Sequence, residues 1–195
     1  MSLLTRYLSR IPSGWTSFPE CRAKSVLFTR LVAMAERDWL PPQLVTRLDT
    51  PMLSTAWAPE VEQVALMLAI YDHRVHSAAD EVAFHEDMLQ LNLGLFKSPS
   101  YAPLVANAAP ARLMRMMSDS WKLFHRGTSL DLREATPGRV LIDFRFPPLL
   151  YPEESIRTRT TSVRGALLSA RAKGVQVHYA IEAPGHVCYE ASWDS

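Results

Sequence analysis

Residues 71–86, YDHRVHSAADEVAFHE, carry His73, His76 and His85, half of the chain's six histidines, with carboxylates beside them. A divalent metal takes several imidazole and carboxylate groups converging on one point, and a helix offers them at i, i+3 or i+4. Asp72 with His76, and Glu81 with His85, have that spacing. Ser77 followed by Asp80 marks a helix start between the two pairs. The pairs therefore fall on different elements and meet only if those helices fold back on each other. No HExxH is present. The residues favour an electrostatic role instead: His73 and His76 sit at the negative end of one helix, Asp80 and Glu81 at the positive start of the next. His76 and His85 stay as the metal candidates.

A second group is RTRTTSVRG (157–165), where Arg157, Arg159 and Arg164 flank hydroxyl residues. If a helix opens at Thr161 or Ser162, its unpaired amides and dipole favour an anion there. The glycine pattern of a P-loop is lacking. A third is the stripe Met114, Met117, Trp121, Phe124 and His125, joined by Tyr179, which would line a ligand pocket, since thioethers and rings make adaptable apolar walls. The same spacing is also that of an ordinary core-facing helix. For nucleophilic catalysis there is neither GxSxG nor a cysteine–histidine signature. Cys188 and His178 share a face of adjacent strands, as Glu182 and Glu190 do, and both pairings are ones a hairpin readily produces. No catalytic constellation emerges, and the chain reads as a non-enzyme.

These residues need elements to hold them. Over 22–38 the apolar positions Val26, Leu27, Leu31, Val32 and Ala35 follow a helical stripe that LPP at 40–42 stops. A second helix is expected from near Trp57, with Pro59 in its first turn and Glu60 and Glu62 near its positive end. Its run VALMLAIY is apolar nearly all round, as in a central buried helix. A third runs from the Ser77 cap through Phe96; KSPSYAP (97–103) is a loop; a fourth starts at Pro110 and ends by Gly127. The period then changes. RVLIDFRF (139–146) alternates like a half-buried strand and stops at Pro147–Pro148. A short helix is expected over 162–173. VQVHYAIE and HVCYEASW, joined by Ala183–Pro184–Gly185, form a hairpin with Val175, Val177, Tyr179 and Ile181 opposite Val187, Tyr189, Ala191 and Trp193. The fold class is α+β: an N-terminal helical layer on a small C-terminal antiparallel sheet with one crossing helix. One domain over 1–195 is expected, with a helical lobe of about 1–127 and a sheet-containing lobe of about 128–195.

The bulk numbers agree. With 195 residues, 48% hydrophobic and 21% charged, the chain supports a buried core. A formal net charge of +1 lacks the basic excess of a nucleic-acid or membrane-surface binder. Cys21 and Cys188, far apart, make neither a disulfide scaffold nor a zinc cluster, and a reducing cytoplasm is the expected compartment. No apolar run reaches the roughly 20 residues of a membrane span, and the N-terminus lacks the apolar core of a signal peptide.

The stretch from about 110 to 193 resembles a known group in layout. A tryptophan-bearing helix leads into WKLFHRGTSL, then come a strand ending in prolines, TSVRGALLSARAKGVQV, and a hairpin closing on EASW. Gly127, Pro147, Gly165 and Trp193 are among the shared residue types. The group comprises haem-NO-binding domains, 4-vinyl-reductase-type small-molecule-binding domains and an uncharacterised family expanded in myxobacteria. The resemblance implies a helical lobe over a twisted antiparallel sheet, a pocket or partner surface between them, and a sensory or regulatory role in a bacterial protein. Haem-NO domains carry a proximal histidine and a tyrosine–serine–arginine signature; SIRTR (155–159) lacks the tyrosine, and Cys188 stands alone against the cysteine pattern of the 4-vinyl-reductase type. The expectation is thus a cytosolic regulatory or sensory protein binding a small apolar ligand or a protein partner. The alternative is a purely structural subunit or homodimer, and the third reading is a metal- or haem-dependent sensor built on the histidine-rich segment. No cofactor is required by the residues, with haem or a metal left open.

Overall fold

The computed structural model describes residues 1–50, 52–99, 101–105 and 108–194. The chain opens with α1 (Leu3–Arg10), capped by Ser2. The Asp72 carboxylate, far along the chain, accepts from the first helical amides, Leu3 at 2.8 Å and Leu4 at 2.9 Å, satisfying donors that a helix start leaves unpaired. Next come β1 (Arg22–Lys24), α2 (Ser25–Val32), α3 (Pro42–Asp49), β2 (Trp57–Pro59) and α4 (Glu60–Arg74). The helix expected over 22–38 is cut at both ends. Its first residues pair as a strand with β2, and its last turn closes where Met34 and Ala35 donate back three residues to Leu31 and Val32. Likewise Trp57 belongs to a strand, and α4 begins at Glu60. Tertiary pairing outweighs local propensity at both places. Helix α4 is the buried one expected, with Val61 and every residue from Val64 to Ile70 enclosed.

Helix α5 (Ala78–Phe96) starts at the Ser77 cap, whose hydroxyl accepts from the Asp80 amide. The loop expected over 97–103 includes Ser100, which lies outside the described residues, and a single turn, α6 (Ala102–Val105), takes up its end. Helix α7 (Pro110–Phe124) runs into a two-residue strand, β3 (His125–Arg126). Then follow β4 (Ser129–Thr136), which the sequence pattern did not reveal, β5 (Arg139–Arg145), α8 (Glu153–Ser169), and the hairpin β6 (Lys173–Ala183) and β7 (His186–Asp194). The hairpin has the expected partners: Val177 opposite Ala191, Tyr179 opposite Tyr189, Ile181 opposite Val187. Strand order is β4-β5-β7-β6, all antiparallel.

Helix α8 departs most from expectation. It starts at Glu153 behind Pro152, not at Thr161 or Ser162. Glu153 and Glu154 suit its positive end, while Thr158, Thr160 and Thr161 turn their hydroxyls back onto carbonyls three or four residues earlier. The hydroxyl run that resembles a cap is therefore helix interior, and Arg157, Arg159 and Arg164 are not at a helix N-terminus.

The α+β class stands, with helices α7 and α8 over one face of the four-stranded sheet. Tyr189, fully buried on that face, donates to the Ile156 carbonyl at 3.0 Å. One continuous core joins helical and sheet residues. The sequence did not show a second sheet, β2-β1-β3, of two and three residues per strand. It is small, but it positions the site.

The hairpin turn is tied to the chain before α8. Gly185 has φ +78°, its carbonyl accepts from the Phe146 amide at 2.9 Å, and a Cβ there would lie 2.2 Å from the Phe146 carbonyl oxygen. Gly185→Ala is expected to cost about 2–4 kcal/mol, from left-handed backbone plus a clash with backbone that cannot rotate away. Urea unfolding measures it, and a loss under about 1 kcal/mol would show that the turn is not held against Phe146.

Candidate functional site

In the small sheet, β1 lies between β2 and β3. Arg22 pairs with Pro59 on one side and Ala23 with His125 on the other. Glu60 follows β2 directly, and its amide donates to the Cys21 carbonyl at 3.0 Å. A glutamate at the first position of α4 and a histidine at the exit of α7 are thereby brought side by side, although 65 residues separate them in sequence.

Glu60 is 1% exposed and His125 6%. His125 Nδ1 lies 2.9 Å from Glu60 Oε1. The Tyr151 hydroxyl donates to the same oxygen, and Glu60 Oε2 is buried with no partner among the described residues. Trp121 covers one face of the imidazole, with ring centroids 3.8 Å apart and planes 8° from parallel. The Arg159 guanidinium lies over the rings of Phe144 at 4.4 Å and Tyr151 at 4.8 Å, a cation–π arrangement. Burial alone would raise the Glu60 carboxyl, but the His125 and Arg159 charges, with the hydrogen bonds from His125 and Tyr151, outweigh it and hold the group below the ordinary glutamate range. The dipole of α4 acts in the same direction. Burial first, and then the Glu60 charge, push the Tyr151 phenol well above its ordinary value, so it stays a hydrogen-bond donor. Cys21, fully buried beside the small sheet, is pushed up to about 12 by burial and then by Glu20 and Glu60. It is a poor nucleophile.

Above this polar floor is a cavity of about 160 Å³ between α2, α4, α5, α7 and α8. His125, Tyr151 and Arg159 lie on its wall, with Met117 and Trp121 from α7, Met67 from α4 and Arg30 from α2. Ser155, Thr158, Arg159 and Ser162 also line it, and their spacing of three and four residues puts them on one face of α8. That face is polar although it points inward. A larger cleft of about 470 Å³ lies between α1, the 146–152 segment and the β6–β7 turn. Its Arg6 and Glu154 are 3.5 Å apart as an ion pair, and Arg10 and Glu153 also line it.

Of the residues singled out from the sequence, Met117, Trp121, His125 and Arg159 meet at the inner cavity. Met114 is 1% exposed in the core. Phe124 stacks on Tyr101, centroids 4.7 Å apart, without reaching the cavity wall. Tyr179 reaches Glu153 from the sheet at 3.2 Å. Arg157 pairs with Glu81 at 2.5 Å, and Arg164 is exposed. In the histidine-rich segment His73 stacks on Trp39, the His76 ring bonds the His73 carbonyl, and Asp72 and Glu81 are engaged by α1 and by Tyr71 with Arg157. His76 donates its amide to Asp80 at 3.1 Å, and among the described residues neither His76 nor His85 belongs to a group with metal-ligand spacing. Among the described residues the group with metal-ligand spacing is Asp143, Glu182 and His186, on the outer face of the sheet. Arg133 already forks onto both carboxylates there, at 2.5 Å to Asp143 and 2.7 Å to Glu182. That makes it a cross-strand brace. Glu182 does not meet Glu190, which binds Arg139 at 2.7 Å.

Sequence reasoning missed Glu60 as a site residue, and with it Tyr151, Arg30 and Ser155. Glu60 did carry a signal: an acid at the head of the most apolar helix, which the helix dipole explained too easily.

Neither a protein-family model nor a curated protein sequence matches the chain. Its fold is that of the H-NOX domains. One structure, described as giving insight into H-NOX activation, aligns with a TM-score of 0.61 at 8% identity, over 89% of this chain and 97% of its own. A point mutant of the H-NOX of T. tengcongensis gives 0.58 at 8% identity over 89% and 98%. An Fe(II) unliganded mutant of the H-NOX protein from K. algicida gives 0.56 at 12% identity over 88% and 97%. Other neighbours are described through an oxygen complex and through heme distortion.

The residues here do not fit a haem. The cavity of about 160 Å³ is about half the smallest ordinary ligand pocket. The imidazole on its wall, with Nδ1 on Glu60, is oriented as a carboxylate orients a metal-ligating histidine, so the misfit lies in the size of the cavity. Among the described residues no helix is long and apolar enough to cross a membrane.

Proposed function

We propose that this chain is a non-catalytic sensory or regulatory module that binds a small molecule in the inner cavity, its lobes of about 1–127 and 128–195 acting as one unit. The observation that carries the reading is the cavity wall itself. Helices α2, α4, α5 and α7 close it from the helical side, and α8 closes it from the sheet side. A ligand there touches both lobes and adds contacts between them. Occupancy changes how firmly α8 and its sheet are held against the helical layer, which is the kind of differential contact that shifts a conformational equilibrium. The group Glu60–His125–Tyr151 gives the cavity a fixed polar end against apolar walls, the usual composition of a specific small-molecule site.

The test is native mass spectrometry with an absorption spectrum of the purified protein, followed by thermal unfolding in a screen of small amphipathic compounds. A ligand at about 100 times its Kd is expected to stabilise the fold by about 2.7 kcal/mol. Trp121→Ala, which opens one wall, is expected to abolish the shift. A Soret band in the native spectrum would overturn the small-cavity reading in favour of haem. No retained mass and no thermal shift would dispose of the ligand site altogether.

A further inference from the structure

The charge on the cavity wall is not balanced by the protein. Arg30 and Arg159 both line it. Among the described residues neither has a carboxylate within ion-pair distance: Arg30 reaches the Leu91 carbonyl at 3.5 Å, and Arg159 lies over aromatic rings. Two other half-buried arginines show the contrast. Arg47 holds Glu62 at 2.7 Å and Arg157 holds Glu81 at 2.5 Å. Glu60 offsets the charge of Arg159 from behind the wall, but its Oε1 is taken by His125 and Tyr151. Set against the single Glu60 carboxylate, Arg30 and Arg159 leave positive charge in excess on the wall of a partly open cavity, and partial burial makes an uncompensated charge costly.

An independent observation points to the same place. Ser155 is 8% exposed, lines the cavity, and its Oγ has no hydrogen-bond partner among the described residues. It precedes Arg159 by four residues, so a hydroxyl and a guanidinium stand next to each other on the inward face of α8. Buried polar groups are almost always satisfied in folded proteins. A hydroxyl and a guanidinium with nothing to bind are the donors that a carboxylate accepts from. Beside these groups the wall is apolar and polarizable, with Met67, Met117 and Trp121. Such walls favour an aromatic ring. A volume of about 160 Å³ is that of a cavity that takes up benzene, about 150 Å³ in another protein.

We propose that the cavity binds a small aromatic carboxylate, its charged end held by Arg159, Ser155 and Arg30 and its ring between Trp121 and the methionines. The inference rests on the reading of this cavity as a ligand site. Calorimetric titration of the whole chain with benzoate and with benzyl alcohol, its uncharged counterpart, tests it, using wild type, Arg159→Gln and Arg30→Gln. Circular dichroism confirms that each variant is folded, and Ser155→Ala stands in if Arg159→Gln is not. Benzoate is expected to bind wild type about tenfold or more tightly than benzyl alcohol, as a charge-assisted hydrogen bond provides. Arg159→Gln is expected to remove that advantage, bringing the ratio of benzoate to benzyl alcohol affinity down to about one. Equal binding of the two probes, or a benzoate affinity indifferent to Arg159, Arg30 and Ser155, overturns the inference and leaves the ligand site standing. Binding of neither probe, together with a silent thermal screen, overturns both.

Discussion

Glu60→Ala is expected to lower the unfolding free energy by about 3–5 kcal/mol, the loss seen when one partner of a buried charged pair is removed. The carboxylate is 1% exposed and takes bonds from His125 and Tyr151 on one oxygen. Without it both donors are stranded away from water. Glu60→Gln keeps an acceptor but removes the charge, and about 1–3 kcal/mol is expected. The pH dependence separates a charged role from simple packing. The carboxyl is held below its ordinary value of 4.5 in the folded protein, so the unfolded chain takes up the proton first. The stabilisation is complete above pH 4.5 and is lost as the pH falls through the folded-state value. The gap between wild type and Glu60→Gln in urea unfolding is therefore expected to be widest near about pH 7 and to shrink by about pH 3. A gap that stays constant over that range would mean that Glu60 acts by shape alone.

Why this pair escaped the sequence is a matter of distance along the chain. A helix cap is local: Ser77 and Asp80 are three residues apart, and the structure has the bond between them. The hairpin is nearly as local, and alternation in VQVHYAIE and HVCYEASW set its register. Glu60 and His125 meet only because three very short strands cross, and strands of two or three residues leave no readable period. A local explanation was available for each member alone, a dipole for Glu60 and a core stripe for His125. The same excess of local explanation misplaced α8. Threonines within a helix that bond back to earlier carbonyls have the composition of a cap, while the true start at Pro152–Glu153 follows a proline-rich stretch that reads as loop. With α8 starting at Glu153, Ser155, Arg159 and Ser162 share a face and Arg159 reaches the cavity; with a start at Thr161 it would have been a loop residue. The H-NOX likeness followed the opposite course. The layout of the C-terminal third suggested it, and the structural alignment extends over 89% of the chain at 8% identity, where side chains carry almost none of the signal.

Gly127→Ala is expected to be the most damaging small substitution near the site. The residue has φ +73°, a conformation costly for any side chain, and an added Cβ would lie 2.6 Å from Cys21 Sγ and 2.9 Å from Cys21 Cα. The left-handed backbone and the overpacking together amount to about 2–5 kcal/mol. Gly14 provides the comparison: φ is +52° there and nothing lies within 4 Å of an added Cβ, so Gly14→Ala should cost only the backbone component, about 1–2 kcal/mol. The consequence reaches further than stability. Gly127 follows β3 directly and packs against Cys21, the residue before β1. Pushing the two apart separates Ala23 from His125 and draws the imidazole off Glu60. A double-mutant cycle isolates this. If Gly127 holds the small sheet closed, Glu60→Gln should cost at least about 0.5–1 kcal/mol less in the Gly127→Ala background than in wild type. Strict additivity would show that the Glu60–His125 contact survives the substitution and that the small sheet does not position it.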